Sequence, residues 1–143
     1  MWIFGYGSLM FDGWESGYGC VRRELAELAE YRRVFGKKSV KNWGTRECPG
    51  LTLNLKKFDT GSAGVLLSSF PINGAVTRAM LDCLSNREAC APCMLPVLVS
   101  RQQIVQTHVY IYKGKSVLDP QAGLTQRAAM VGSASGACGA SFD

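Results

Sequence analysis

A chain of 143 residues is long enough to bury a hydrophobic core without the help of disulfides or metals. Its 47% hydrophobic and 19% charged residues are typical of a globular protein and exclude an intrinsically disordered one. No apolar run approaches the roughly 18 residues that a membrane span needs, and no basic region precedes the short apolar start. We therefore expect one domain over 1–143, no membrane insertion, and a cytoplasmic location.

The net charge of +5 is unevenly spread, because the segment from Arg22 to Lys57 has ten Lys and Arg residues against four Glu, a net +6, and the rest of the chain is near neutral. Such a segment can bind nucleic acid or favour a small anionic substrate, although a solvated basic face is the commonest explanation. Aromatic residues in it are few, namely Tyr31, Phe35 and Trp43. RNA binding is therefore a less favoured alternative.

The first seventy residues read mainly as short strands, because apolar runs bounded by Gly, Pro and Asn recur there. The predicted elements are a strand over 1–4, a glycine-rich connection over 14–19, a helical turn or two over 22–31, and strands over 31–38, 51–55 and 63–70. Over 51–55, leucines alternate with Thr52 and Asn54. This alternation predicts that the leucines face a core and the two polar residues face away.

The clearest helix is predicted over 73–88. Asn73 is a good N-cap at its start, and Val76, Met80, Leu81 and Leu84 recur at the spacing of one helical face. The elements predicted after it are strands over 95–100 and 104–112, a helix over 124–131 and a Gly/Ser/Ala-rich tail. Five or six strands with two helices, without regular βαβ alternation, predict an α+β sheet or small barrel.

We expect the six cysteines to be reduced and mostly buried thiols, since no export signal is present. Cys90 and Cys93 have the C-x-x-C spacing of redox and zinc sites, but no second pair accompanies them and His108 is the only imidazole. The sequence also lacks a complete phosphate loop, a dinucleotide fingerprint and a Ser-His-Asp set. We therefore expect neither a metal nor a cofactor.

The opening strand runs into a stretch that suits contact between backbone and ligand. Gly5 and Gly7 permit positive φ and the close approach of a second molecule. Tyr6, between them, and Ser8, after them, carry hydroxyl groups that can hydrogen-bond to a ligand. The structural alternative is a tight turn between two elements.

Glu88 is the second candidate for chemistry. It follows Leu81 by seven residues, so at about 100° per residue it lies within roughly 20° of the same helical face. A carboxylate on an apolar face must be paired, hydrogen-bonded or raised in pKa, and a raised carboxylate suits a general base near neutral pH. The alternative is that the helix frays and Glu88 points to water, or pairs with a nearby arginine.

Together these features resemble the γ-glutamylcyclotransferase family, in particular its ChaC-like branch. The matching segments are Phe4-Gly-Tyr-Gly-Ser-Leu9 with Met10 after it, Gly44-Thr45, Pro49-Gly50, and the helix end Leu84-Ser-Asn-Arg-Glu88. The resemblance runs from Met1 to about Ala140. It implies a mixed sheet curled into a small barrel with flanking helices.

The resemblance also implies a cofactor-independent lyase or acyltransferase for a small γ-glutamyl substrate. In that reaction the α-amine of a γ-glutamyl group attacks its own γ-carbonyl, which yields 5-oxoproline and releases an amine or peptide. The residue matching the general base is Glu88. The residues matching the substrate-binding loop are Gly5, Tyr6, Gly7, Ser8, Leu9 and Met10.

Three departures from the branch leave the substrate open among glutathione, γ-glutamyl dipeptides and γ-glutamyl amines. Lys41-Asn-Trp-Gly44 stands where the branch usually has Asp-His-Arg-Gly, Leu51 replaces an arginine, and Ala-Cys-Ala-Pro-Cys follows Glu88 where glycines are usual. The family continues past this point with an acid-Tyr-Leu stretch and a helix, so we expect a C-terminal segment to be missing. The alternative function is a non-catalytic binding or regulatory module on the same fold.

Overall fold

The computed structural model describes residues 1–99 and 102–140 of the chain. Its strands and helices are β1 (Trp2–Gly5), β2 (Arg22–Ser39), β3 (Gly50–Ser69), α1 (Gly74–Glu88), β4 (Cys93–Val99), β5 (Gln103–Val109), α2 (Leu124–Ser133), β6 (Ser135–Gly136) and β7 (Gly139–Ala140). Five strands form a closed barrel in the order β1-β3-β2-β4-β5, and β6 pairs with β7. The predicted α+β fold with a small barrel is confirmed.

Strand β1 closes the barrel. It pairs antiparallel with β3, where Ile3 lies opposite Ser68, and parallel with β5, where Phe4 lies opposite Val109. This parallel pair among antiparallel ones makes the sheet mixed. Ile3 and Phe4 have no exposed surface, so the opening apolar run is buried as the sequence predicts.

The predicted helical turns over 22–31 are wrong, because this segment is the first part of β2. Ala26 and Leu28 are buried two residues apart, and Ala26 lies opposite Val99 of β4. The Glu, Leu and Ala residues here favour a helix, but burial at a period of two and pairing with β4 outweigh that weak preference. Glu30 has a φ of 61°, typical of a bulge, and the strand predicted over 31–38 is the continuation of β2 beyond it.

The strands predicted over 51–55 and 63–70 are parts of a single strand, β3. Leu51 and Leu55 are buried as predicted, but Asn54 is also buried and Leu53 is only partly buried. The expected outward position of Asn54 is therefore wrong, because both faces of the strand are covered there. The Thr52 hydroxyl donates to the Lys37 carbonyl at 3.2 Å.

Helix α1 packs through Met80 and Leu84, each 1% exposed. The prediction of Val76 as a core residue is wrong, since it is 44% exposed. Asn73 precedes the helix in an extended conformation, and its carbonyl accepts a bond from Thr77 N at 2.7 Å, but its side chain makes no capping bond. Within the described ranges, no helix has the length and apolar character to cross a membrane.

The remaining elements differ from prediction by a few residues. The strand expected over 95–100 is β4, and its last expected residue, Ser100, lies outside the described residues. The strand over 104–112 is β5, which ends at Val109, and the helix over 124–131 is α2. The connection over 14–19 contains a 3₁₀ turn, Trp14–Tyr18.

The described residues form two compact units. The first comprises Met1–Arg33 and Leu55–Tyr112, and its buried cluster is Ile3, Leu9, Phe70, Met80, Leu84 and Tyr110. The second comprises Val34–Asn54 and the described residues from Lys113 on, and its buried cluster is Leu51, Leu118 and Ala122, covered by Met130 and Val131 of α2. All the site residues predicted from the sequence belong to the first unit.

Candidate functional site

The glycine-bounded stretch leaves β1 and forms a 3₁₀ turn over Gly7–Met10. Gly7 has a φ of 61°, as expected for a glycine that permits left-handed backbone. The same expectation is wrong for Gly5, which stays in β1 and is buried. Ser8 is exposed and Leu9 is buried in the core, so the turn offers a ligand Gly7, Ser8 and the partly buried Met10.

The phenol of Tyr6 points into the protein. Tyr6 is 6% exposed, and its hydroxyl donates to the Tyr110 carbonyl at 2.6 Å. Burial, and then the negative charges of Glu88, Cys90 and Cys93, raise the pKa of this phenol well above its ordinary value. Tyr6 therefore remains a neutral donor and anchors the loop.

Three carbonyl groups of this loop accept hydrogen bonds from within the protein. The bonds run from Phe11 N and Asp12 N to Ser8 O (3.1 and 3.3 Å), from Trp14 Nε1 to Leu9 O (3.0 Å) and from Arg23 Nη2 to Met10 O (2.8 Å). The conformation of the turn is thus held by several donors, which reduces what a ligand must order on binding.

Glu88 is the last residue of α1, and its side chain is 16% exposed. The pKa of Tyr110 is raised to about 12, chiefly by burial, while a hydrogen bond with Ser85 opposes the rise. The charge of Glu88 contributes to the raised pKa of both Tyr110 and Tyr6. Glu88 is therefore near enough to both phenols for its charge to act on them. Its exposure is inconsistent with a side chain in bulk water, whereas the pairing with an arginine considered above does occur, with Arg87.

Arg87 links the loop to the helix end, a contact that the sequence did not predict. Its Nη2 donates to Ser8 Oγ at 2.8 Å and to Asp12 Oδ2, and its Nε lies 3.5 Å from Glu88 Oε1. Helical geometry turns consecutive residues by about 100°, so Glu88 on the apolar face implied that Arg87 pointed elsewhere. The available signal was its place next to Glu88 in the family-like run 84–88.

Negative charge on Cys90 and on Cys93 also contributes to the raised pKa of Tyr6. The Cys93 thiol donates to the Val109 carbonyl at 3.3 Å. All six cysteines are thiols rather than disulfides, as predicted, but the expectation that most of them are buried is wrong, since three are partly buried and Cys83, Cys93 and Cys138 are exposed. In the part of the chain that the structure describes, no three His, Cys, Asp or Glu side chains are grouped so that they could hold a metal ion.

A family model described as ChaC-like protein matches residues 1–143, the whole chain. The chain belongs to the ChaC-like family. Two relatives from Arabidopsis thaliana, Gamma-glutamylcyclotransferase 2-3 and Gamma-glutamylcyclotransferase 2-1, are 39% and 33% identical over 56 and 57 residues. These matches cover 39% and 40% of this ChaC-like chain but 27% and 25% of the relatives, about a quarter of their length.

Solved structures show the same fold. A selenomethionine-labelled γ-glutamyl cyclotransferase specific to glutathione from yeast superposes with a TM-score of 0.84 at 16% identity, covering 99% of this chain and 82% of that one. A structure named γ-glutamyl cyclotransferase has a TM-score of 0.58 at 10% identity, covering 80% and 67%. At these identities the likeness extends to the fold of the ChaC-like chain and not to its substrate.

Proposed function

We propose that this ChaC-like chain is a cytoplasmic γ-glutamylcyclotransferase that converts a γ-glutamyl group to 5-oxoproline and releases an amine or peptide, without a cofactor. The observation that carries the proposal is the position of Glu88, a carboxylate with 16% exposure at the helix end, next to Arg87, which bonds the loop residue Ser8 at 2.8 Å. Membership of the ChaC-like family and the names of the relatives support it.

In this reaction the substrate supplies both nucleophile and electrophile, so the protein needs no nucleophile of its own. The α-amine is mostly an ammonium near neutral pH, and the Glu88 carboxylate takes a proton from it. The nitrogen then attacks the γ-carbonyl, the new carbon–nitrogen bond closes the lactam, and the amide bond to the leaving group breaks. The attacking nitrogen gives up two protons in all, one through Glu88, and both end on the released amine.

The loop contributes orientation. Gly7 and Ser8 are the first residues of the 3₁₀ turn, and the first amides of such a turn have no acceptor within it, so they can donate to a carboxylate or an oxyanion. Holding the flexible γ-glutamyl chain in its cyclising pose can contribute several kcal/mol to the barrier reduction. We therefore assign Gly5–Met10 as the substrate-binding loop, with Tyr6 as its anchor.

Glutathione is the first substrate to test, because it is the one named for a yeast structure with this fold, although a shared fold alone does not choose the substrate. γ-Glutamyl dipeptides and γ-glutamyl amines are the other candidates. The segment that departs from the branch pattern, 41–44, and Leu51 leave the choice among them to experiment.

The test is incubation of the chain with glutathione, a γ-glutamyl dipeptide and a γ-glutamyl amine, with 5-oxoproline as the product measured. Glu88→Gln keeps the shape but cannot accept the proton, so turnover should fall by at least about 100-fold while the fold is retained. Asp82→Asn, an exposed carboxylate on the same helix, is the matched control and should keep full activity. A fully active Glu88→Gln protein would exclude Glu88 as the base.

A non-catalytic binding module on the same fold predicts saturable binding of the γ-glutamyl compound without product. RNA binding remains the less favoured alternative. In the first unit, the basic residues Arg22, Arg23 and Lys57 are paired with Glu24, Glu15 and Glu30 at 2.8, 2.7 and 3.3 Å, which lowers the charge available to phosphates. Steeply salt-dependent RNA affinity would favour it.

A further inference from the structure

We infer that Arg87 is a positioning residue that fastens the substrate loop to the end of α1 and so sets where a substrate sits relative to Glu88. We call Ser8, Asp12 and Arg87 the loop clamp. The kinetic part of this inference rests on the proposed function, whereas its structural part does not.

The contacts of the loop clamp join segments that are far apart in sequence. The guanidinium of Arg87 reaches Ser8 Oγ at 2.8 Å, at the exposed point of the turn, and Asp12 Oδ2, just beyond its end. Both bonds come from the same nitrogen, Nη2, whose two N–H groups lie in the guanidinium plane at a fixed angle, so the two acceptors are held in a defined relation to each other. Arg87 and Glu88 are adjacent in the chain, so the loop is held in register with the carboxylate.

The same guanidinium also sets the charge around Glu88. Arg87 Nε lies 3.5 Å from Glu88 Oε1, longer than a typical hydrogen bond, so this pair interacts mainly by charge. The C-terminal end of a helix carries partial negative charge, which disfavours a carboxylate there. The positive charge of Arg87 offsets this effect and favours the ionised form of Glu88, the form that accepts a proton. Asp12 holds the far side of the guanidinium toward the loop.

Two substitutions separate these effects. Arg87→Lys keeps the charge but loses the planar fork, because one ammonium replaces several fixed donors. Arg87→Gln loses both the charge and the fork. Arg78→Gln, an exposed arginine on the same helix, is the matched control.

We expect Arg87→Lys to lower kcat by about 10-fold and Arg87→Gln by about 100-fold, because a displaced loop misplaces the reacting groups. In Arg87→Gln the acid limb of kcat/KM should also move up by about one pH unit, since the neighbouring positive charge is lost. In Arg87→Lys and Arg78→Gln that limb should stay in place. A purely structural role of Arg87 would lower the active fraction without moving the acid limb of kcat/KM. An unmoved acid limb in Arg87→Gln would therefore overturn the claim that the charge of Arg87 favours ionised Glu88.

Hydrogen exchange tests the loop clamp without any substrate. Phe11 N and Asp12 N both bond to Ser8 O, so their amides report whether the turn is held. In folded Arg87→Gln protein these two amides should exchange at least about 10-fold faster than in wild type. The amides of β5 in this variant, and all amides in Arg78→Gln, should exchange at the wild-type rate. Equal protection in wild type and Arg87→Gln would refute the loop clamp.

The kinetic and the hydrogen-exchange experiments also separate this inference from the proposed function. If wild type produces no 5-oxoproline from any γ-glutamyl compound, the proposed function fails, and exchange still decides whether Arg87 holds the turn. If Arg87→Gln does not fold, Arg87→Lys and Asp12→Asn carry the exchange measurement, with faster exchange at Phe11 expected in both.

Discussion

The buried bond between the Tyr6 hydroxyl and the Tyr110 carbonyl gives a stability prediction with a defined pH dependence. Tyr6→Phe keeps the ring in the core but removes the donor, so the carbonyl loses its 2.6 Å partner. A buried acceptor left unpaired costs about 1–3 kcal/mol. We expect the variant to be less stable than wild type by about 2 kcal/mol at pH 7.

Alkaline pH should remove this difference. Burial raises the pKa of Tyr6 above its ordinary value of about 10, so above pH 10 the unfolded phenol loses a proton that the folded one keeps. Wild type therefore loses about 1.4 kcal/mol per pH unit through this group as the pH rises beyond 10. The variant has no phenol at this position and does not. The two stability curves should meet at about pH 11.5, where the loss reaches about 2 kcal/mol.

The assay is urea unfolding of both proteins at intervals from neutral pH to pH 11.5, followed by circular dichroism. Tyr31→Phe, at a partly buried tyrosine of β2, controls for the loss of a phenol hydroxyl. At pH 7 it should lower the free energy of unfolding by less than Tyr6→Phe does. Parallel stability curves for wild type and Tyr6→Phe across this range would refute the reasoning, because they would show that the cost does not come from the protonated phenol.

Three other predictions concern packing, backbone space and acid stability. Leu84→Ala should lower the free energy of unfolding by about 2–5 kcal/mol, and Val76→Ala, exposed on the same helix, by about 0.5 kcal/mol or less; urea unfolding checks both, and equal losses would contradict the packing of α1. A Cβ at Gly44 would lie under 3.0 Å from neighbouring backbone, so Gly44→Ala should lower the melting temperature, whereas Gly132→Ala in α2, with open space around it, should raise it. Burial, and then the N-terminal ammonium, lower the pKa of His108, so wild type should lose stability relative to His108→Gln as the pH falls below about 6.5; a relative gain would contradict this sign.

Local patterns were enough to predict α1 and β1. Met80 and Leu84 recur at helical spacing and are buried, and Ile3 and Phe4 of the opening apolar run have no exposed surface. The same reasoning failed over 22–31, where strong helix formers lie in a strand. What decides that segment is the pairing of Ala26 with Val99. No local pattern contains a partner so distant in the chain.

The candidate site also has features that the sequence predicts and features that it does not. The glycine turn and Glu88 carry their own signals, since glycines permit unusual backbone and a carboxylate on an apolar helix face is uncommon. The contact of Arg87 with Ser8 carries no such signal, because it depends on how a loop and a helix end meet in three dimensions. The inward direction of the Tyr6 phenol depends on the Tyr110 carbonyl, which lies just after β5.

The residue directly after α1 is an exception to a familiar rule of protein engineering. Ala89 has a φ of 57°, a left-handed conformation that costs an L-amino acid with a Cβ roughly 1–2 kcal/mol and glycine almost nothing. Replacing glycine by alanine is the usual way to stiffen a protein, but here the opposite exchange should raise its heat resistance. Ala89→Gly, one residue from Glu88, should therefore raise the free energy of unfolding. That gain could offset a destabilising substitution elsewhere in the molecule.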